Sequence, residues 1–164
     1  PPSPWNAKDG FAAAALLPER IQVVAIGGYP KQVVALKEKH PRVLFLGERP
    51  YRELADNLAA ADVCVLPNTG KDPVSVNFTS PLKLLAYMAA GKPIVASDLP
   101  SVRELVGDDA ALLVAPDDPR ALADGILRVL NDTALARVLS ASARARVVRY
   151  DWAARAIRIG AFIA

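Results

Sequence analysis

Five short apolar runs, each closed by a turn residue and each set beside a helical pattern, constrain this chain more than any other feature. They fall at residues 21–26, 43–46, 62–66, 94–96 and 111–114. Runs of this length, with valine, isoleucine and leucine at most positions, suit strands buried on both faces. The intervening segments carry apolar residues at three- and four-residue spacing, as amphipathic helices do. Strands alternating with helices argue for right-handed βαβ crossovers. The expected class is therefore α/β, a Rossmann-like open parallel sheet flanked by helices, in a single domain over residues 1–164. Ligands of such sheets sit at the carboxyl ends of the strands. The loops there are Gly27-Gly28-Tyr29, residues 47–51, 67–79 and 97–101. The longest, 67–79, is read as a polar loop, and long loops in compact domains are commonly functional.

That loop leads into residues 80–97, which read as helix start, helix, tight turn and buried strand. Ser80 suits an N-cap, Pro81 the first helical position, Gly91 a left-handed C-cap, and Pro93 blocks continuation. Leu84, Leu85, Met88 and Ala89 form the expected apolar face. Free amides and the positive dipole end at such a start suit a phosphate, and Lys83 adds a full charge. Plain capping with a solvated lysine is the competing reading of the same residues.

Helices are also expected over 8–17 (Phe11, Ala15 and Leu16 on one side), 31–39 (Val33, Val34, Leu36), 51–60 (Leu54, Leu58) and 99–106 capped by Asp98. Asp117-Asp118-Pro119 opens a helix to about Asn131 with Leu122, Ile126, Val129 and Leu130 apolar. Asp132 or Thr133 caps the next, with Leu135, Val138, Leu139, Ala145 and Val148 inward, and a last helix spans 152–162. Residues 1–6 are proline-rich and suit neither helix nor central strand.

Composition narrows the partners. The net charge of +3 allows an anionic small ligand without demanding nucleic acid, and no basic run is interleaved with aromatics. Cys64 is the single cysteine, which forbids an internal disulfide, makes a reducing compartment the default and suits a core position. His40 is the single histidine; it precedes a proline and is expected at the surface, with no second histidine to build a metal site. No apolar run approaches the roughly 20 residues that span a bilayer, and no secretion signal is visible. Asn77-Phe78-Thr79 matches a glycosylation acceptor by chance alone if that signal is absent. Arg137, Arg144, Arg146 and Arg149 are expected to form a solvated helix face, and Glu104 is read as structural.

Taken together, Ser80-Pro81-Leu82-Lys83-Leu84 and Tyr87-Met88-Ala89-Ala90-Gly91-Lys92-Pro93-Ile94-Val95-Ala96-Ser97-Asp98 resemble the retaining glycosyltransferases of group 1 (family 4) with the GT-B fold. Val43-Leu44-Phe45-Leu46-Gly47 with Glu53-Leu54, Ala61-Asp62-Val63-Cys64-Val65-Leu66-Pro67, Arg103-Glu104-Leu105-Val106, and the stretch from Leu112 to Pro119 continue the likeness in order. The resemblance implies the C-terminal half of that fold, its donor-binding lobe, with a separate N-terminal acceptor domain as partner. It implies transfer from a nucleoside-diphosphate sugar to a saccharide or lipid-linked acceptor, without metal or further cofactor. It implies a cytoplasmic protein, with peripheral contact at the inner membrane face through the parent enzyme. No nucleophile or general base stands out, so catalysis would be electrostatic.

By the same resemblance, Thr79, Ser80, Pro81, Leu82 and Lys83 would hold the donor's diphosphate and sugar. Trp5 and Lys8 resemble the opening of the first helix, where a lysine meets the diphosphate, although Asn6-Ala7 would be inserted. Gly47, Glu48, Arg49 and Tyr51 would lie by the base; Gly27 and Gly28 belong either to that region or to a simple strand-end turn. The family carries two glutamates eight positions apart, and here those positions hold Phe78 and Ala86. The second glutamate accepts from the ribose hydroxyls, which a methyl group cannot do. The strand preceding Lys8, with its arginine, has no counterpart. Two further readings therefore stand: a degenerate, non-catalytic module of the same fold, and a sugar-nucleotide epimerase, against which the Ser-Pro-Leu-Lys stretch argues.

Overall fold

The β-branched and leucine-rich runs form five strands, all paired in parallel. The computed structural model describes residues 8–77, 82–151, 156 and 159–162. In chain order the elements are α1 (Lys8–Ala14), β1 (Val23–Ile26), α2 (Pro30–Lys39), β2 (Val43–Gly47), a 3₁₀ turn (Tyr51–Glu53), α3 (Leu54–Ala59), β3 (Cys64–Leu66), α4 (Pro73–Asn77), α5 (Leu82–Ala90), β4 (Ile94–Ser97), α6 (Pro100–Val106), β5 (Leu112–Val114), α7 (Pro119–Asn131), α8 (Thr133–Val147) and a second 3₁₀ turn (Val148–Tyr150).

The expected single sheet is divided in two. β1 pairs with β2, and β4 lies between β3 and β5. All four residues of β4 are buried, and its side chains alternate between two cores as the pleat requires. Ile94 and Ala96 join Cys64 and Leu66 beneath Leu84 and Met88 of α5, Val102 and Val106 of α6 and Ala143 of α8. Val95 points the other way, to Leu122, Ala123, Ile126 and Val129 of α7 and Ala13 and Leu17 of α1. A third cluster holds Phe11 and Ala14 of α1 and Val33 of α2 against Ala25, Val43 and Phe45. Each large side chain enclosed this way contributes about 1.5–3 kcal/mol.

Local chemistry explains the boundaries. Asp118 caps α7 by accepting from the amides of Arg120 and Ala121, and Asp132 caps α8 by accepting from Leu135. Gly91 ends α5 at φ 65°, as a C-cap glycine should. Asp98 does not cap α6. Leu99 holds that position without a side-chain bond, and Asp98 instead takes a two-point contact from Arg103. The 67–79 loop contains a helix, α4, because Asp72 accepts the Val74 amide at 2.9 Å and Pro73 presets its first turn.

Several side chains expected inward face solvent: Ala15 and Leu16 in the turn that follows α1, Val34 in α2, Ala89 in α5, and Val138, Ala145 and Val148 near the end of the chain. Ala15, Val34, Ala89 and Val138 each lie one position off a buried neighbour, Ala14, Val33, Met88 and Leu139 respectively. His40 is half-buried, not exposed, with its ring 5.3 Å from that of Phe11. Arg146 is not merely solvated; it donates to Asp109 at 2.7 Å and ties α8 to the turn after α6. The expected helix at 152–162 lies largely outside the described residues.

Candidate functional site

Two groups of loops gather at the carboxyl ends of the strands. The first follows β1 and β2. Gly27 and Gly28 adopt φ 109° and 93°, and Gly47 adopts 70°, all conformations in which a side chain is strained. The Gly27 amide donates to the Gly47 carbonyl at 2.6 Å, so the two turns are fastened together. Gly28, Gly47 and Glu48, with Leu46, Phe45, Pro30, Val33 and Lys37, line a cavity of about 350 Å³. Its lining is mostly apolar, with Lys37 and Glu48 as the charged groups.

The second group joins the loop after β3, the loop after β5 and the start of α1. Asp117, at φ 58°, accepts from the Thr69 hydroxyl at 2.5 Å and from the Gly70 amide at 2.9 Å. Its carboxylate thereby pins the loop that leads to α4 and α5. Gly10 of α1 stands against Pro67; a Cβ there would lie 3.0 Å from the proline ring. Burial and the nearby Asp117 carboxylate raise the Asp9 pKa above its ordinary value. The buried Ser101 hydroxyl donates to the Ser75 carbonyl at 2.9 Å, which anchors α4 to α6.

The residues expected from sequence divide accordingly. Gly28, Gly47 and Glu48 line the cavity, and Gly27 does not line it but is hydrogen-bonded to Gly47. Arg49 and Tyr51 do not line it: Arg49 is exposed and pairs with Glu53 at 3.5 Å, and Tyr51 is 87% exposed. Lys8 opens α1 and Leu82 and Lys83 open α5, all exposed. Thr79, Ser80 and Pro81, and Trp5 with Asn6-Ala7, lie outside the described residues. Ala86 sits half-buried on α5 beyond Lys83. Burial followed by Cys64 pushes the neighbouring Tyr87 phenol up to about 12, and burial pushes the Cys64 thiol to about 11. Both stay protonated, and neither is poised as a nucleophile or base near neutrality.

Sequence reasoning missed Lys37 and Asp117. Lys37 lies four residues after Val33 and so shares its helix face toward the cavity. The doublet Asp117-Asp118 carried a signal for Asp117: one carboxylate suffices for the cap, leaving the other available. Among the described residues no cluster of three His, Cys, Asp or Glu side chains could hold a metal ion, and no helix is long and apolar enough to cross a membrane.

The family profile for glycosyl transferases group 1 matches residues 9–132. A phosphatidyl-myo-inositol mannosyltransferase of Mycobacterium tuberculosis (strain ATCC 25618 / H37Rv) is 36% identical over 120 residues, covering 70% of this chain and 30% of the relative. A D-inositol 3-phosphate glycosyltransferase of Corynebacterium urealyticum is 34% identical over 136 residues, covering 73% and 30%. The chain thus spans under a third of the length of these curated relatives. Among solved structures, sucrose-phosphate synthase from Thermosynechococcus elongatus superposes with a TM-score of 0.75 at 29% identity, over 94% of this chain and 40% of the other. Anabaena Alr3699/HepE in complex with UDP gives 0.80 at 24% identity, over 98% and 46%, a likeness of fold. The parallel strands, the glycine turns and a profile match across most of its length agree: the chain belongs to the group 1 glycosyl transferases.

Proposed function

We propose that this chain is the donor-binding part of a retaining glycosyltransferase and holds a nucleoside-diphosphate sugar. The observation that carries the reading is the convergence of Gly28, Gly47 and Glu48 on one cavity at the ends of β1 and β2. In that reading the base enters the cavity and the diphosphate faces the start of α5 and Lys83, with Lys8 on the same edge of the fold. Structures of Anabaena HepE hold UDP and UDP-glucose, which supports a donor of that chemical class. The chain's own residues would act electrostatically, stabilising the leaving diphosphate with cationic side chains and backbone amides and without a metal. An acceptor domain elsewhere in a longer parent protein completes the cleft, in the cytoplasm, with the inner membrane face as a docking place for lipid-linked acceptors.

Calorimetric titration with UDP and with GDP tests this directly. The expected result is saturable binding of one nucleotide at millimolar affinity or tighter, weakened about tenfold in Lys83→Ala by loss of one charge-assisted contact. No binding by either nucleotide, in the wild type or in Ala86→Glu, would replace the reading with a module that has lost its ligand.

A further inference from the structure

The loop after β3 is fastened on both sides of α4. Beyond the middle of that helix, the buried Ser101 hydroxyl of α6 donates to the Ser75 carbonyl at 2.9 Å. Before it, the loop meets the loop after β5. There the Asp117 carboxylate accepts from the Thr69 hydroxyl at 2.5 Å and from the Gly70 amide at 2.9 Å. The Thr69 oxygen in turn accepts the Lys71 amide at 3.2 Å, and Asp72 accepts the Val74 amide at 2.9 Å. Side-chain bonds thus run from the β5 loop to the first turn of α4. Bonds to a carboxylate are charge-assisted and are the stronger kind. The joint is also close-packed. A Cβ at Gly70 would stand 3.2 Å from the Pro116 ring and 3.4 Å from the Asp117 carboxylate.

Three features set Asp117 apart from a plain turn residue. Among the described residues it is the one non-glycine with positive φ, at 58°, a conformation that glycine adopts without cost. Asp118 already caps α7, so the Asp117 carboxylate does nothing for the helix it precedes. Its two acceptor bonds reach 48 and 47 residues back, into another loop. Strain of this kind persists where the surroundings hold it, and it points to a use. Glycine would satisfy the turn and lose the joint. The carboxylate therefore serves the loop after β3, which leads through α4 to α5.

We propose that Asp117 is a positioning residue for the donor. Through Thr69 and Gly70 it fixes the loop after β3 and α4, and so sets where the start of α5, with Lys83, meets a nucleoside diphosphate. This role rests on the reading of the α5 start as the diphosphate's seat. It makes nucleotide affinity depend on a side chain of the β5 loop that acts through another loop.

A double-mutant cycle of Asp117→Gly and Thr69→Val tests it, read by amide hydrogen exchange and by calorimetric Kd for UDP and GDP. Asp117→Gly is expected to speed exchange about tenfold within 69–77, with α7 unaffected, and to weaken nucleotide binding about tenfold. Thr69→Val is expected to do less, about threefold in each readout, and the double variant no more than Asp117→Gly alone, because both remove one joint. Asp117→Asn tolerates the positive φ and keeps one acceptor, so it should recover most of the affinity. Gly125→Ala, which strains α7 away from the joint, should leave Kd unchanged. If Asp117→Gly fails to fold, Thr69→Val and Asp117→Asn carry the same comparison. Strictly additive effects, or an equal loss of affinity in Gly125→Ala, would reduce Asp117 to general stability and overturn the proposal. Saturable wild-type binding with an unchanged Kd in Asp117→Gly defeats the positioning role alone. No binding of either nucleotide by the wild type or by Ala86→Glu defeats the reading of function, and the positioning role with it.

Discussion

If the chain binds a nucleotide-sugar donor as proposed, Ala86 is the residue expected to limit its affinity. It is half-buried on α5, beyond Lys83 and beside the protonated Tyr87. A carboxylate here would offer a charged acceptor to the ribose hydroxyls, worth about 1.5–3 kcal/mol, or roughly one to two decades in affinity. Ala86→Glu is therefore expected to tighten nucleotide binding, and an unchanged Kd would remove Ala86 from the site. Asp118→Ala deletes two capping bonds at α7 and should cost about 1 kcal/mol in chemical denaturation. His40 gives a pH signature. Burial against Phe11, then Lys39, holds its pKa below the ordinary value. The unfolded chain therefore takes up the proton first as the pH falls. Its contribution is complete above about pH 6.5 and is lost as the pH drops from there through the folded value. His40→Gln should flatten the stability difference between pH 7.5 and 5.5; an identical slope in both proteins would contradict the assignment.

At the scale of elements, α7 is the most tightly specified. Gly125 faces the sheet, and a Cβ there would stand 2.8 Å from a Val114 methyl and 3.1 Å from one of Val95. Val95 is buried in the core beneath α7, and the half-buried Val114 packs against that core. Gly125→Ala is expected to destabilise by about 1–3 kcal/mol through overpacking, although alanine is the better helix former; a stabilised variant would show that α7 can shift outward. This contact was invisible in the sequence, because close approach of a helix to a sheet leaves no periodic trace beyond the glycine itself. Elements with strong punctuation were legible: Asp118-Pro119 and Gly91-Lys92-Pro93 mark real ends. α4 was not, since five residues between prolines and glycines read as loop until Asp72 is seen to cap them. Asp98 misled for the opposite reason. It has the chemistry of a cap, but Arg103 one turn on competes for its carboxylate and wins two contacts.

On the scale of the whole molecule, the alternation of strand and helix carried the fold class and the parallel pairing, and it named the loops after β1 and β2 beside which the cavity lies. It could not carry the division of the sheet, because pairing between strands distant in sequence is set by what fills the space between them. Nor could it separate the residues that line the cavity, Gly28, Gly47 and Glu48, from Arg49 and Tyr51, which follow them closely in the chain but turn to solvent. The proposed function needs a nucleoside diphosphate held between the β1–β2 glycine turns and the start of α5. The most direct measurement is amide chemical-shift mapping of the labelled chain titrated with UDP and GDP. Saturable shifts centred on Gly28, Gly47 and Glu48, with a second focus at Leu82 and Lys83, are expected. Saturable shifts centred instead on α8 or α6, or none with either nucleotide, would contradict it.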